Sequence, residues 1–288
     1  MVNLMSESRY KIAVLLPTRA RGDMLNRSLH SLLDLASDRS HIQLIMGLDR
    51  DDQEGIDRFI KQTRPWLQEQ GVRYTALTFE PLGYTKLNRY YNAMAREADA
   101  DWLFVWNDDA VMQTQDWDLA ITKYTGQFRL LKVHTHNEHP YSIFPIVPRA
   151  WFDALGHLSE HQMIDAELSQ SAFCLDIMQV IDVDVTHHQV ELTNDQQDSL
   201  GRKTRLEGNP RDPLDFHNAE MTERRFRNIN RLSEIMQSRG DSVKFWQNVL
   251  AGRQDPWQRL KELDVNHQMV QFESRATAAE ITRVQTHA

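Results

Sequence analysis

Residues 102–112 read WLFVWNDDAVM, an aromatic and aliphatic run that ends abruptly at Asn107, Asp108 and Asp109. A short run that is continuously apolar, rather than alternating, is typical of a strand that is covered on both faces of its sheet. Asn and Asp favour turns because their side chains bond to nearby backbone groups, so a simple turn is one interpretation of the polar end. A ligand site is the other interpretation, and the neighbouring segments help to distinguish the two.

Similar apolar runs precede this one, and amphipathic stretches separate them: KIAVLL (11–16), HIQLIMGLD (41–49) and VRYTALTF (72–79). Strands that alternate with helices in this way indicate a parallel sheet built from right-handed crossovers. Three later runs predict further strands, the first two as antiparallel additions: RLLKVHTH (129–136), YSIFPIVP (141–148) and LDIMQVIDVDVTHH (175–188). We therefore predict an α/β protein with a Rossmann-like mixed sheet flanked by helices.

The composition changes beyond about residue 195. The stretch SLGRKTRLEGNPRDPLDF (199–216) is rich in Gly and Pro, which indicates a loop or linker. Helical patterns resume at 219–239, 242–251 and 257–263. We predict a main domain at residues 1–198 and a mostly helical C-terminal extension at residues 199–288.

Composition and charge indicate which partners and which cellular location to expect. The 288 residues carry a net charge of −8, so a nucleic-acid contact would need a local basic patch. A single cysteine cannot form an internal disulfide, which fits a reducing compartment. The N-terminus lacks the pattern of a secretory signal, and no apolar run reaches membrane-spanning length. We expect a soluble cytoplasmic protein, in the host cytoplasm if its source is viral.

Polar side chains follow the first, second and fourth predicted strands. Pro17, Thr18 and Arg19 follow the first strand, Asp49 ends the second, and residues 107–109 follow the fourth. Ligands of open parallel sheets bind beyond the carboxyl ends of the strands. Carboxylates suit Mg²⁺ or Mn²⁺, which share their coordination between the protein and substrate phosphates. This edge therefore suits a metal–diphosphate, with the ion acting as a Lewis acid toward a departing nucleotide diphosphate.

The order and spacing of these segments resemble a known family of enzymes. The segments that carry the resemblance are IAVLLPTRARGDMLNRSLHSLL (12–33), IQLIMGLDRDD (42–52) and LGYTKLNRYYNAMAREADADWLFVWNDD (82–109). Together they look like the nucleotide-sugar-binding half of a GT-A fold glycosyltransferase of the large inverting family 2, which includes bacterial and phage enzymes. The resemblance covers about residues 10–190. It implies transfer of a sugar from a nucleotide-sugar donor, most often UDP-linked, to an acceptor hydroxyl.

The resemblance also implies how the donor is held. By position, Pro17, Thr18 and Arg19 match the family's first nucleotide-binding loop, and Asp49 matches the acidic residue that contacts the base. Lys86, which follows Gly83, is a further candidate for the diphosphate, although an exposed first helical turn explains it equally well.

Residues 107–109 match the family's metal-binding DxD motif, with Asn107 in place of its first Asp. That departure leaves Asp109 as the direct ligand of Mn²⁺ or Mg²⁺ and Asp108 as a contact to ribose or metal. The family often adds a histidine ligand after the last strand, where His187 and His188 lie, and we prefer His188.

The acceptor half has a matching segment, FPIVPRAWFDALGHLSEHQMIDAELSQ (144–170). It resembles the place where a strand and a Gly-containing turn lead to a helix that bears the catalytic base. An inverting transfer needs a carboxylate to take the proton of the acceptor hydroxyl. Asp165 occupies that position, with Glu167 as the alternative.

Two other functions remain open on the sequence. His134 and His136 lie on one face of a predicted strand, and imidazoles suit zinc, so a zinc-dependent hydrolase is the alternative enzyme. The basic segment Arg202–Arg231 predicts a contact with nucleic acid, either in a non-catalytic binding protein or in a phage-type enzyme that glycosylates a modified DNA base. Acidic residues interrupt that segment, and a helical surface of salt bridges explains it as well. A glycan is the other acceptor that we consider.

Overall fold

The computed structural model of the chain describes residues 10–135, 139–188, 216 and 218–263. One mixed sheet contains the eight strands β1 (Tyr10–Thr18), β2 (Ile42–Asp49), β3 (Arg73–Phe79), β4 (Ala100–Val105), β5 (Ala110–Met112), β6 (Leu130–Thr135), β7 (Ile146–Pro148) and β8 (Met178–His187).

The α-helices of the described residues are α1 (Gly22–Asp34), α2 (Gln53–Arg58), α3 (Arg64–Glu69), α4 (Leu87–Arg96), α5 (Trp117–Thr122), α6 (Arg149–Leu155), α7 (Ile164–Leu175), α8 (Ala219–Ser238), α9 (Lys244–Leu250) and α10 (Gln258–Leu263). A π-helical turn at Phe59–Thr63 joins α2 to α3, and 3-10 turns lie at Arg39–His41 and Tyr84–Lys86. No helix within these ranges is both long enough and apolar enough to cross a bilayer.

The first half of the sheet is parallel, as predicted. The strand order is β3-β2-β1-β4-β7-β6-β8-β5, and β1 pairs in parallel with both β2 and β4. Antiparallel β7 then pairs with β4, and β8 runs parallel to β6. The prediction of an α/β mixed sheet flanked by helices is confirmed, and so is the helical character of the described part of the C-terminal extension.

Hydrophobic side chains cover the sheet on both faces. Along β1, Ala13 and Leu15 belong to one buried cluster, while Val14 and Leu16 belong to the other. Helix α1 packs on the second face, and α4, α6 and α7 pack on the first. Because both faces are covered, the central strands need apolar residues at every position, which explains why their sequences are continuous rather than alternating.

Strand β5 brings the end of β4 next to the end of β8. The chain leaves β4, passes Asn107 to Asp109, and enters β5, which pairs antiparallel with β8. In that register Ala110 is opposite His187. The residue before Ala110 therefore lies beside the carboxyl end of the last strand.

The described part of the C-terminal extension shares its core with the main domain. Buried side chains of α8 and α9, including Phe226, Ile229, Leu232 and Trp246, belong to the same cluster as Trp151 and other residues on the α4, α6 and α7 face. Thus α8 and α9 have no separate core, although the boundary at residue 198 lies outside the described residues and stays a prediction.

Candidate functional site

The carboxyl ends of β1, β2 and β4 meet at one edge of the sheet, as parallel pairing requires. Thr18 is paired with Leu48, the residue before Asp49. Thr18 also donates a hydrogen bond of 2.7 Å from its hydroxyl to Asp108 Oδ2, which joins the first and fourth strand ends directly. Pro17, one residue earlier in β1, is half-buried and paired with Gly47.

Arg21 bridges the two adjacent aspartates. Its Nη1 lies 3.0 Å from Asp108 Oδ1 and 3.2 Å from Asp109 Oδ2, and all three side chains are largely buried. Burial raises the pKa of Asp108 to about 6, although Arg21 opposes that shift. Burial also disfavours the ionised form of Asp109, but His187 and Arg21 outweigh it and hold the pKa of that carboxyl below its usual value. The site therefore keeps one carboxylate firmly ionised beside one that takes up a proton more readily.

Asp109 and His187 form a buried pair that has the chemistry of a metal site. Asp109 Oδ1 lies 3.2 Å from His187 Nε2, and neither buried atom has a hydrogen-bond partner in the described structure. Bonds of about 2.1 Å from one octahedral ion to an oxygen and a nitrogen meet near a right angle and would place those two atoms about 3 Å apart. The pair therefore fits two neighbouring positions around one divalent ion.

His188, which the sequence favoured as the ligand, is placed differently. Its main-chain N–H donates to the carbonyl oxygen of Asp109 at 2.8 Å, whereas the His187 side chain faces the carboxylate. In the described ranges, no group of three or more His, Cys, Asp or Glu side chains is arranged to hold a metal ion. Among the described His, Cys, Asp and Glu side chains, Asp109 and His187 therefore have no third member of a preformed metal site.

Asn107 is held by a tyrosine rather than by the acidic pair. Its Oδ1 accepts a hydrogen bond of 2.8 Å from the Tyr91 hydroxyl, which also lies 2.7 Å from the carbonyl oxygen of Trp106. The Asn107 carbonyl oxygen accepts from the Ser28 hydroxyl at 3.3 Å. These contacts shape the turn that follows β4.

Asp49 is fixed by a cation and a phenol. Its Oδ2 lies 2.8 Å from Arg19 Nη1, and its Oδ1 accepts a hydrogen bond of 2.5 Å from the Tyr90 hydroxyl. Burial, together with this bond to Asp49, raises the pKa of Tyr90 to about 12, so the phenol stays protonated and donates. Arg19 also pairs with Asp51, and its hydrogen bonds to Asp51 and Asp49 raise the pKa of its guanidinium further. Arg19 and Asp49 thus lie together at the second strand end.

Lys86 lies at the entrance of α4. It is exposed, it precedes the first residue of the helix, and its N–H donates to Gly83 O at 3.1 Å. Within the described structure no side chain pairs with its ammonium group. A phosphate approaching this helix start would meet a free positive charge.

The structure separates the two candidates for the base. Asp165, in the first turn of α7, is the one residue of that helix that is not buried, and no described residue bonds to its carboxylate. Glu167 is buried and accepts hydrogen bonds from the Ser159 hydroxyl at 2.5 Å and from the main-chain N–H groups of Glu160 and His161 at 3.1 Å. Burial raises the pKa of Glu167, with Ser159 acting against that shift. Glu167 therefore holds a loop, and Asp165 is available to a ligand.

The residues behind the alternative functions are only partly described. His134 is exposed on β6, while His136 and most of the segment Arg202–Arg231 lie outside the described residues. In the described part of that segment, Arg224, Arg227 and Arg231 pair with neighbouring glutamates. Arg225 is buried and donates to Phe216 O at 3.0 Å. Arg224, Arg227 and Arg231 thus form a salt-bridged surface on α8, whereas Arg225 packs in the interior.

Sequence reasoning missed the tyrosines that organise this edge. Tyr90 and Tyr91 are consecutive in α4, yet one bonds to Asp49 and the other to the turn at Asn107. A helix turns by about 100° per residue, so consecutive residues of α4 can reach the ends of β2 and β4, which lie on either side of β1. The sequence did carry a signal for them, which is the pair of tyrosines in RYYNAM (89–94) on a helix that packs beside β1 and β2.

Comparison with known proteins supports the fold. No family model matches the chain, and no curated protein matches its sequence. Among solved structures, the mannosyltransferase PcManGT from Pyrobaculum calidifontis, in complex with GDP-Man and Mn²⁺, is 11% identical with a TM-score of 0.51, and the match covers 95% of this chain and 87% of that one.

Two structures of S. aureus TarS are also similar. The first is 13% identical with a TM-score of 0.47, and the match covers 75% of this chain but only 43% of the TarS chain. TarS 1–349 in complex with UDP is 13% identical with a TM-score of 0.47, covering 88% and 90% of the two chains. The architecture described above, together with its similarity to PcManGT, shows that this chain has the GT-A fold.

Proposed function

We propose that the protein is a metal-dependent glycosyltransferase that moves a sugar from a nucleotide-sugar donor to an acceptor hydroxyl. The observation that carries the proposal is the buried pair of Asp109 Oδ1 and His187 Nε2, which lie 3.2 Å apart at the carboxyl edge of a GT-A sheet and accept or donate no hydrogen bond elsewhere in the described structure. PcManGT, which has the same fold, binds GDP-Man and Mn²⁺, which supports a nucleotide-sugar and a divalent ion as the ligands of this edge.

Asp109 and His187 would hold the ion, with His187 taking the role that the sequence suggested for His188. Mn²⁺ and Mg²⁺ are often bound by few protein groups, with substrate phosphates and water completing their coordination, which agrees with a two-residue site. When bound, the ion supplies positive charge that stabilises the departing nucleotide diphosphate. Asp108, between Thr18 and Arg21, completes the wall of this site or contacts the ribose.

The donor would lie along the strand ends. We assign Arg19 and Asp49 to the nucleoside, Pro17 and Thr18 to the loop beneath it, and Lys86 to the diphosphate. The support for Lys86 is its exposed ammonium group at a helix start, which pairs with no side chain of the described ranges. Asn107 would contribute to donor binding indirectly, because its bond with Tyr91 fixes the turn that carries Asp108 and Asp109. We propose UDP as the nucleotide, because the resemblance to family 2 favours it.

Asp165 would act as the base. As the acceptor oxygen attacks the anomeric carbon and the bond to the diphosphate breaks, the Asp165 carboxylate takes the proton of the acceptor hydroxyl. A single displacement of this kind inverts the configuration at the anomeric carbon. Glu167 cannot easily serve, because the loop before α7 already occupies its oxygens. The acceptor is a hydroxyl of a glycan or of a modified nucleic-acid base, and the pairing of the described arginines favours neither one.

A donor panel tests the proposal. Purified protein is incubated with UDP- and GDP-linked sugars in Mn²⁺, Mg²⁺ or EDTA, and release of the nucleoside diphosphate is measured. We expect metal-dependent turnover that Asp109→Asn and His187→Gln abolish, whereas His188→Gln, the matched control, retains it. Turnover that is unaffected by EDTA, or equal loss in both histidine variants, contradicts the assigned metal site.

The base is tested on the same enzyme. Asp165→Asn should abolish transfer while the affinity for UDP, measured by calorimetry, stays unchanged. A variant that loses both transfer and nucleotide affinity would show that Asp165 has a structural role instead.

A further inference from the structure

The loop of residues 158–161, between α6 and α7, is bonded to several helices at once. On one side Asn92 of α4 accepts the N–H of Leu158 at 2.7 Å and donates to Ser159 O at 2.8 Å. On the other side Glu167 of α7 accepts from Ser159, Glu160 and His161. The path of this loop is therefore coupled to the first turns of α7, where Asp165 lies.

Helix α8 of the C-terminal extension holds the same loop through the side chain of Glu160. Asn228 Nδ2 donates to Glu160 Oε2 at 3.0 Å, and Arg224 Nη1 lies 3.3 Å from Glu160 Oε1. These bonds span 68 and 64 residues of sequence, so they tie the extension to the main domain rather than stabilising one helix. Glu160 thus bonds to α8 through its side chain and to Glu167 of α7 through its main-chain N–H.

A second contact reinforces the same connection. The ring of Phe216 lies 5.1 Å from the ring of His161, and the Arg225 guanidinium lies 4.0 Å from the Phe216 ring centroid. Arg225 is also buried and donates to the Phe216 carbonyl oxygen. The loop that precedes the base helix is therefore packed as well as hydrogen-bonded against the extension.

Asp165 depends on this support because it has none of its own. No described group bonds to its carboxylate, and so its position is set by where the first turn of α7 lies. A carboxylate that takes a proton must stay within hydrogen-bond reach of the acceptor hydroxyl, and an error of about 1 Å can lower a rate by about 100-fold.

We propose that Glu160 is a positioning residue, through which Asn228 and Arg224 of the C-terminal extension hold the first turn of α7 and so place Asp165. The inference deepens the proposed function and rests on the role of Asp165 as the base. Glu160 contacts no reacting atom in this scheme and acts only through the loop and the helix.

Amide hydrogen exchange tests whether α8 holds the loop and the first turn of α7, and it needs no assay of activity. The double variant Arg224→Ala/Asn228→Ala should exchange the amides of residues 160–168 about tenfold faster than the wild type, because two hydrogen bonds that hold the loop are lost. Arg227→Ala is the matched control, since among the described residues Arg227 pairs with Glu223 of its own helix, at 2.8 Å, and not with the loop. Unchanged exchange in the double variant overturns the proposal.

Kinetics test whether this support reaches Asp165. We expect kcat for transfer to fall by up to about 100-fold in the double variant, with UDP affinity unchanged and with partial recovery in Arg224→Lys/Asn228→Ala. Normal kcat despite faster exchange, in an enzyme that Asp165→Asn inactivates, overturns the positioning role. If the wild-type protein transfers no sugar at all, the proposed function fails, and amide exchange alone decides whether α8 holds the first turn of α7.

Discussion

Replacement of Arg21 by Met removes a positive charge that contacts both carboxylates of the acidic pair. Arg21 Nη1 lies 3.0 Å from Asp108 and 3.2 Å from Asp109, and these side chains are 15%, 7% and 7% exposed. Breaking a buried ion pair from one side costs about 3–5 kcal/mol because a charge is left without compensation. Asp108, whose pKa is already about 6, can take up a proton and limit the loss. We expect Arg21→Met to lower the free energy of unfolding in EDTA by about 3 kcal/mol.

Urea unfolding with EDTA or Mn²⁺ measures this effect. An ion at 100 times its dissociation constant stabilises the folded state by about 2.7 kcal/mol. In the wild type the ion must share Asp109 with a guanidinium of like charge. Mn²⁺ should therefore bind Arg21→Met more tightly and recover much of the lost stability, which calorimetry can measure directly.

Arg19→Met is the control for a general effect of removing an arginine. Arg19 pairs with Asp49 and Asp51 rather than with the acidic pair, and 43% of its side chain is exposed. We expect a smaller loss, of about 1–2 kcal/mol, because the buried Asp49 keeps the Tyr90 hydroxyl as a donor, and an unchanged affinity for Mn²⁺. The reasoning is refuted if Arg21→Met costs no more than Arg19→Met in EDTA, or if Mn²⁺ stabilises Arg21→Met no more than the wild type.

Three further predictions concern buried groups. The pKa of Asp108 in the folded state lies above the value of about 3.9 for an unfolded chain, so the folded state binds more protons between these two values. The wild type should therefore lose stability relative to Asp108→Asn as the pH rises from about 4 to about 6, which urea titrations measure. Tyr90→Phe removes a donor from the buried Asp49 carboxylate, which should cost about 1–3 kcal/mol in unfolding free energy and weaken UDP binding in calorimetry. Trp246→Ala should cost about 3–5 kcal/mol, and thermal unfolding should remain a single transition because α9 shares the core of the main domain.

The parallel half of the sheet was predictable because two simple rules apply to it. Strands that are buried on both faces have continuous apolar sequences, and strands that alternate with helices pair in parallel through right-handed crossovers. Those rules also place Thr18, Asp49 and Asp108 at one edge, and the bond from Thr18 to Asp108 confirms that the first and fourth strand ends meet. The rules thus predict which strand ends lie close together, because that depends only on the topology of the sheet.

The choice between His187 and His188 needed information that the sequence does not contain. Side chains alternate along a strand, so only one of two consecutive residues can face a given neighbour. The register of β5 on β8 pairs Ala110 with His187, so its strict continuation would put His188 opposite Asp109. Asp109 lies in the turn before β5, however, and the conformation of that turn brings its carboxylate to His187 instead. The hydrophobic pattern of the strands carries no information about the conformation of so short a turn.

The choice between Asp165 and Glu167 was open for a different reason. Residues two apart on a helix point about 200° from each other, so only one of them can face the loop at 158–161. A hydrophobic stripe normally shows which face of a helix is inward, but α7 buries Ile164 and every residue from Ala166 to Leu175. Its sequence therefore does not show which side of the helix faces the loop, and the rotation of the helix depends on packing against residues distant in the chain, among them buried residues of α8. The bonds of Arg224 and Asn228 to Glu160 likewise join residues that are 64 and 68 positions apart, so no local sequence pattern shows them, and the double variant tests whether they hold the loop before α7.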